Sequence, residues 1–187
     1  MRVVIRVSFA LLSALFAVGC SRGRDGALQT LPAVGSAVPP FSYPGLFADT
    51  VTAASLHHQP AVVAFWSSTC PASREALAAI QSLAAAYAGR GVRVVLLADD
   101  ADRTTLPPAL RGVGDLRVGV AAGTLRATFS QTHVGPWRRA LPLPSFLVVN
   151  GDGRIVYRWV GIERAVEQRL SFVRAQLDTL LARQAGA

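Results

Sequence analysis

Two uninterrupted apolar runs on either side of one helical pattern constrain this chain more than any other feature. The first is Ala61-Val62-Val63-Ala64-Phe65-Trp66 and the second spans Val92 to Ala98. Runs rich in β-branched residues with no polar alternation indicate strands buried on both faces. Between them, Leu77, Ile80, Leu83, Ala84 and Tyr87 recur on one helical face from Pro71 to about Ala88. Gly89 and Gly91 end that helix, and Pro71 suits its first turn, where a missing N–H costs nothing. Strand, helix, strand at these lengths requires a parallel pair joined by a right-handed crossover. The expected fold class is therefore α/β, with a central mixed sheet and helices on both faces.

The remaining periods extend that sheet. Leu116 to Val120 is expected as a short strand, Thr124 to His133 as a helix, and Arg103 to Leu110 as a weak helix broken by Pro107-Pro108. Phe146 to Val149 and Ile155 to Val160, joined by Gly151-Asp152-Gly153, are expected to form a C-terminal hairpin. A closing amphipathic helix from Glu163 to Gln184 turns Val166, Leu170, Val173, Leu177 and Leu180 inward. One domain, residues 37–187, accounts for all of these elements.

Between the first strand and its helix lies Ser67-Ser68-Thr69-Cys70-Pro71, which puts a thiol at a helix start. Unpaired N–H groups and the partial positive charge there favour thiolate over thiol, so Cys70 is the first candidate for chemistry. The chain has two cysteines, Cys20 and Cys70. Residues 1–19 read as a signal peptide, with Arg2 and Arg6 before an apolar stretch from Val7 to Val18 that is too short for a membrane span. Ala17-Val18-Gly19-Cys20 is similar to a bacterial lipoprotein cleavage box, which makes Cys20 the expected lipidation site and residues 20–36 a linker. Cys70 would then be the one thiol of the mature chain.

Charge and composition narrow the partners. The net charge is +8 and all nineteen basic residues are arginines, two of them in the signal segment and the others scattered. Scattered arginines give no nucleic-acid footprint. No metal and no cofactor are expected. The chain has one methionine, its initiator, and the adjacent His57-His58 lie far from Cys70 in sequence. Glycine-rich phosphate loops, paired carboxylates and Gly-x-Ser-x-Gly are also missing.

Phe65-Trp66-x-x-x-Cys70-Pro71-x-x-Arg74 resembles the active-site segment of membrane-tethered thioredoxin-like proteins of the TlpA/ResA group, within the redoxin (AhpC/TSA) superfamily. Pro142-Leu143-Pro144-Ser145-Phe146-Leu147 is similar to that group's Pro-Thr-Thr-Phe-Leu-Ile, and Gly35 to Phe41 to its Gly-x-x-x-Pro-x-Phe opening. The resemblance implies a thioredoxin-like fold over residues 34 to about 183. It further implies a cis bond before Pro144 that presents Leu143 beside Cys70, and the attacking role for Cys70. Trp66, Ser67, Thr69 and Pro71 would support it.

Several family positions differ. Ser73 stands where the group carries its resolving cysteine, Ala76 where it often has a glutamate, and Thr69 where tryptophan is usual. Glu75 is turned about 100° from that glutamate position and is expected on the solvated face. Ser73 cannot resolve a mixed disulfide, although its hydroxyl could donate a hydrogen bond to the Cys70 sulfur. Arg138 and Arg139, beside Trp137, are candidate positive charges on the far wall, with solvated loop arginines an equal reading, and His133 is a candidate proton donor, although a lone histidine at a helix end is more often a favourable charge there.

Three functions stay open at this stage. One is a membrane-anchored oxidoreductase of the cell envelope, on the periplasmic side, exchanging disulfides through one thiol with envelope proteins or small thiols. Another is a binding or assembly module that has lost catalysis. The third is a one-cysteine peroxidase, since Ser67 to Cys70 resembles the Thr-x-x-Cys of peroxiredoxins. Against the last, Val63 replaces that motif's proline, and Pro144 falls where its arginine is expected.

Overall fold

The computed structural model describes residues 31–47, 49–106, 110, 116–130, 141–161 and 166–186. Its frame is a five-stranded mixed sheet. In chain order the elements are β1 (Ser42–Pro44), β2 (Thr50–Thr52), β3 (Ala61–Trp66), α1 (Pro71–Tyr87), β4 (Arg93–Ala98), β5 (Leu116–Val120), α2 (Leu125–Phe129), β6 (Ser145–Val149), β7 (Ile155–Val160) and α3 (Val166–Ala185). The sheet order is β5-β4-β3-β6-β7, and β1 and β2 form a separate small hairpin.

β3 occupies the centre because every one of its six residues is buried. It pairs in parallel with β4, Val63 opposite Val95, and antiparallel with β6, Val63 opposite Leu147. Alternate side chains leave it on opposite faces. Val62, Ala64 and Trp66 pack with Ile80 and Leu83 of α1 and with Leu170, Val173 and Leu177 of α3. Val63 and Phe65 pack on the other side with Leu125 and Phe129 of α2 and with Tyr43 and Val51 of the hairpin. Each such fully buried side chain contributes about 1.5–3 kcal/mol. The thioredoxin-like α/β fold expected from the sequence is thus the fold observed, with helices on both faces.

Most boundaries fall within a residue or two of expectation. Gly89 and Gly91 close α1 with φ of 70° and 73°. Asn150 Oδ1 accepts from the N–H groups of Asp152 and Arg154 to shape the β6–β7 turn. Four readings need correction. The helix expected from Thr124 ends at Phe129, because Ser130 is already extended. Of the weak helix from Arg103 to Leu110, the described residues show a 3₁₀ turn, Arg103–Thr105, an extended Leu106 and a 3₁₀ Leu110, and residues 107–109 lie outside them. The β1–β2 hairpin has no counterpart among the sequence expectations, since three-residue strands are too short to show a period. Residues 31–36, expected as the end of a linker, instead lie along β7: Arg158 Nη1 donates to Leu31 O at 2.7 Å and Gly35 N to Ile155 O at 2.7 Å.

A polar clamp locks α1 to α3. Tyr87 Oη donates to Asp178 Oδ1 at 3.0 Å and to Arg174 O at 3.2 Å, and Arg90 pairs with Asp178 at 3.2 Å. Burial, then the hydrogen bond and charge of Asp178, push the Tyr87 phenol up to about 12. The unfolded chain releases that proton near 10.0, so the folded state holds more protons between the two values and loses stability as pH rises through them. Urea midpoints measured from about pH 9 to 12 are expected to fall for the wild-type protein, and those of Tyr87→Phe to fall less steeply. Parallel curves would remove this role for Tyr87.

Candidate active site

Three parallel strands end at one edge of the sheet, and the chain must turn there without its ladder partners. After Trp66 it makes a tight loop in which Cys70 N donates to Ser67 O at 3.3 Å, and Ser67 Oγ and Thr69 Oγ1 lie 2.9 Å apart. Cys70 then takes the N-cap position of α1 with extended φ and ψ of −88° and 118°. Its side chain makes no capping bond, so the sulfur is not spent on the helix's own N–H groups. The thiol is half-buried.

Across from it runs the segment before β6. Cys70 Sγ lies 3.6 Å from Leu143 O, within reach of an S–H···O bond. The Leu143–Pro144 peptide is cis, the conformation that the resemblance implied, and Pro144 is buried. Gly161 N donates to Pro144 O at 2.8 Å from the end of β7. A Cβ at Gly161 would stand 2.5 Å from that same oxygen, so this approach admits only glycine.

Ser73 does not do what the sequence allowed. It is fully buried, and its hydroxyl has no hydrogen-bond partner among the described residues, Cys70 included. Its carbonyl instead accepts from the Trp66 indole N–H at 2.6 Å. Trp66 therefore ties the end of β3 to the first turn of α1 from within the core. Thr69 and Pro71 are exposed, Ser67 is buried, and Glu75 is exposed as expected. Arg74 reaches back to donate to Ser68 O at 3.0 Å. Cys20, His133, Trp137, Arg138 and Arg139 lie outside the described residues.

Sequence reasoning missed the acidic pair that follows β4. Asp100 is 3% exposed, and both of its carboxylate oxygens accept from Ser68 N at 3.1 Å; the Ser68 hydroxyl also donates to it. A buried carboxylate thus holds the loop that carries Cys70. Asp99 accepts from Leu125 N at 3.1 Å and so caps α2. Burial pushes its carboxyl above the ordinary range, with the Asp100 charge acting the same way. Adjacent acids directly after a buried strand, at the carboxyl edge where open α/β sheets bind ligands, were the available signal.

Residues 34–158 match the AhpC/TSA family. The chain belongs to that family. It is a redoxin of thioredoxin-like fold, and solved structures of that fold superpose on it. A protein from Chlorobium tepidum assigned as the thiol:disulfide interchange protein DsbE is 20% identical, with a TM-score of 0.62 over 80% of this chain and 98% of that one. A protein from Bacteroides thetaiotaomicron assigned as a protein disulfide isomerase is 16% identical, with a TM-score of 0.64 over 83% and 94%. A secreted Mycobacterium tuberculosis disulfide oxidoreductase homologous to DsbE of E. coli is 21% identical, with a TM-score of 0.55 over 81% and 98%. At such identities the likeness is one of fold. No curated protein matches the chain.

Among the described residues, no three His, Cys, Asp or Glu side chains gather to hold a metal ion. His57 and His58 have ring centroids 6.3 Å apart, and a Cβ at Gly153 would lie 2.6 Å from the His57 ring. No described helix is long and apolar enough to cross a membrane.

The Asp100 anchor generates a prediction. Asp100→Ala strands the Ser68 N–H and hydroxyl in a part-buried loop, an expected cost of about 1–3 kcal/mol in urea unfolding. Combined with Ser68→Ala in a double-mutant cycle, the pair should couple by about 1 kcal/mol or more. Additive losses would mean that the contact does not hold the loop.

Proposed function

We propose that this redoxin carries out thiol–disulfide exchange with one thiol, Cys70, at the cell envelope. One observation carries the reading. The half-buried sulfur at the N-cap of α1 faces the Leu143 carbonyl, while the place of a second thiol is filled by the sealed hydroxyl of Ser73. The names of the three structural neighbours, all from thiol–disulfide chemistry, point the same way.

In the exchange, the Cys70 thiolate attacks one sulfur of a disulfide. A bond forms between the two sulfurs as the substrate's S–S bond breaks, and the departing sulfur leaves as thiolate. An extended substrate chain would donate a backbone N–H to Leu143 O, as a strand does at an open edge. Release requires a second thiol from outside, which displaces Cys70 and takes over the mixed disulfide. Trp66 and Asp100 hold the two ends of the loop during both displacements. Envelope proteins with cysteines and small thiols are the proposed partners. Export by signal residues 1–19, cleaved before a lipidated Cys20, and a linker from that residue would keep the domain at the periplasmic side of a membrane.

The test uses glutathione disulfide and mass spectrometry of the native protein. One glutathione on the Cys70 peptide, lost on adding dithiothreitol and missing in Cys70→Ser, is the expected result. Modification only after denaturation would sink the exchange reading and leave a binding module. Hydrogen peroxide followed by dimedone supplies the peroxidase arm: rapid trapping of a Cys70 sulfenic acid would favour a one-cysteine peroxidase.

A second variant asks what the serine does. Residues 70 and 73 are one helical turn apart, a spacing that a disulfide can bridge. Ser73→Cys is therefore expected to expel the bound glutathione and finish with a disulfide between Cys70 and the introduced thiol, two hydrogens lighter than the reduced variant. Persistence of the adduct in Ser73→Cys would show that the site cannot be resolved from within.

A further inference from the structure

A second cavity opens at the opposite edge of the sheet. Cys70 follows the carboxyl end of β3, whereas this cleft of about 520 Å³ surrounds the amino ends of the parallel strands β4 and β5. The six residues of β4 separate the two edges by about 20 Å. The cleft is of ordinary small-ligand size.

Its charge is what distinguishes it. Arg93, the first residue of β4, and Arg117 of β5 both line it. Arg117 pairs with Val95, and Arg93 is two residues before Val95, so the register puts both arginines on one face of the sheet. Strand spacing and rise place their Cα atoms roughly 8 Å apart. Two guanidinium groups that far apart at their roots can converge on one oxyanion. Neither forms an ion pair with an acid among the described residues. Asp49 supplies the only carboxylate of the described lining, which leaves its charge positive.

Two further features shape the cleft for an anion. Gln59 faces Arg93, and in the amide orientation that satisfies both side chains its Oε1 accepts from Arg93 Nε at 3.0 Å and Nη2 at 2.9 Å. A neutral amide thereby orients Arg93 without cancelling its charge. Burial first, and the Arg117 charge second, lower the proton affinity of Arg93, as expected of a cation left without a counter-ion. Phe47, which leaves half of its surface in water, also lines the cleft. Gly89 and Gly91 line it with no side chain and with open space where a Cβ would stand.

We propose that this cleft is a second binding site, for a small organic anion whose phosphate or carboxylate head bridges Arg93 and Arg117 while its apolar body covers Phe47. The site is independent of Cys70 chemistry. A head group of this kind can belong to a soluble metabolite or to an anionic lipid, and the cleft reads the same oxyanion in both.

Phenyl phosphate is the probe, titrated calorimetrically into the full chain at constant ionic strength so that general screening is held fixed. Saturable binding is expected, with inorganic phosphate weaker than phenyl phosphate. Arg117→Gln should lose about tenfold or more in affinity, as for one charged hydrogen-bonding group. Phe47→Ala should weaken phenyl phosphate and leave inorganic phosphate unchanged. Glutathione addition at Cys70 should be the same in Arg117→Gln and wild type, which separates this site from the proposed exchange. Vesicles of phosphatidylglycerol, compared with phosphatidylcholine, identify the source. Binding that phenyl phosphate displaces and Arg117→Gln weakens assigns the head to a lipid, and calorimetric binding with no such displacement assigns it to a soluble ligand. Arg93→Gln is a second variant, and Arg117, being exposed, keeps the test valid should Arg93→Gln fail to fold. Absence of saturable heat at millimolar phenyl phosphate, or affinity unchanged in Arg117→Gln, overturns the proposal.

Discussion

The pairing of β3 on both sides is the constraint from which the rest of this structure follows. A strand flanked by parallel β4 and antiparallel β6 has all its backbone groups satisfied and none of its side chains in water. Only its ends are free to do anything else. At the carboxyl end, the backbone leaves the ladder within a loop held from below by Trp66 and from the side by Asp100. The Cys70 sulfur thus follows a strand that is buried throughout, yet sits in a loop outside the ladder. That combination of a rigid base and a short open turn gives a thiol a fixed direction of attack.

The same strand explains how much could be read from the sequence. Unbroken apolar runs gave β3 and β4, and the helical period of Leu77, Ile80, Leu83, Ala84 and Tyr87 gave α1, since each signal is local and repeated. Cys70 was legible as a thiol at a helix start, and Pro144 for a different reason, namely that its motif resembles a family whose fold this chain shares. The partnership of Ser68 with Asp100 was not legible. It joins residues from the ends of two strands, and nothing local to either distinguishes a carboxylate that anchors a loop from one that is merely solvated. Arg93 and Arg117 were hidden likewise, because only the parallel register of β4 and β5 sets them on one face. Ser73 differs in detail: its place in the motif suggested a bond to sulfur, but the helix turns its hydroxyl into the core with no partner.

The two edges of the sheet also differ in electrostatic character. Acids gather at the carboxyl ends, where Asp99 and Asp100 take the N–H groups of Leu125 and Ser68. Arginines gather at the amino ends, where Gln59 orients one of them. β4 carries an acid pair after its last residue and a cation at its first, so one strand organises both regions through opposite charges. The length of β4, about 20 Å, keeps the two arrangements apart.

In the proposed exchange, a buried serine hydroxyl in place of a second thiol would set the kinetic order of whatever Cys70 carries. A partner thiol within the same turn would end each adduct at a rate belonging to the protein alone, whatever its surroundings. With Ser73 in that place, the lifetime of an adduct scales with the concentration of thiols outside, and lengthens as they become scarce. In the proposed exchange the molecule would therefore behave as a timer wound by its environment, holding a sulfur adduct for as long as the compartment remains oxidising.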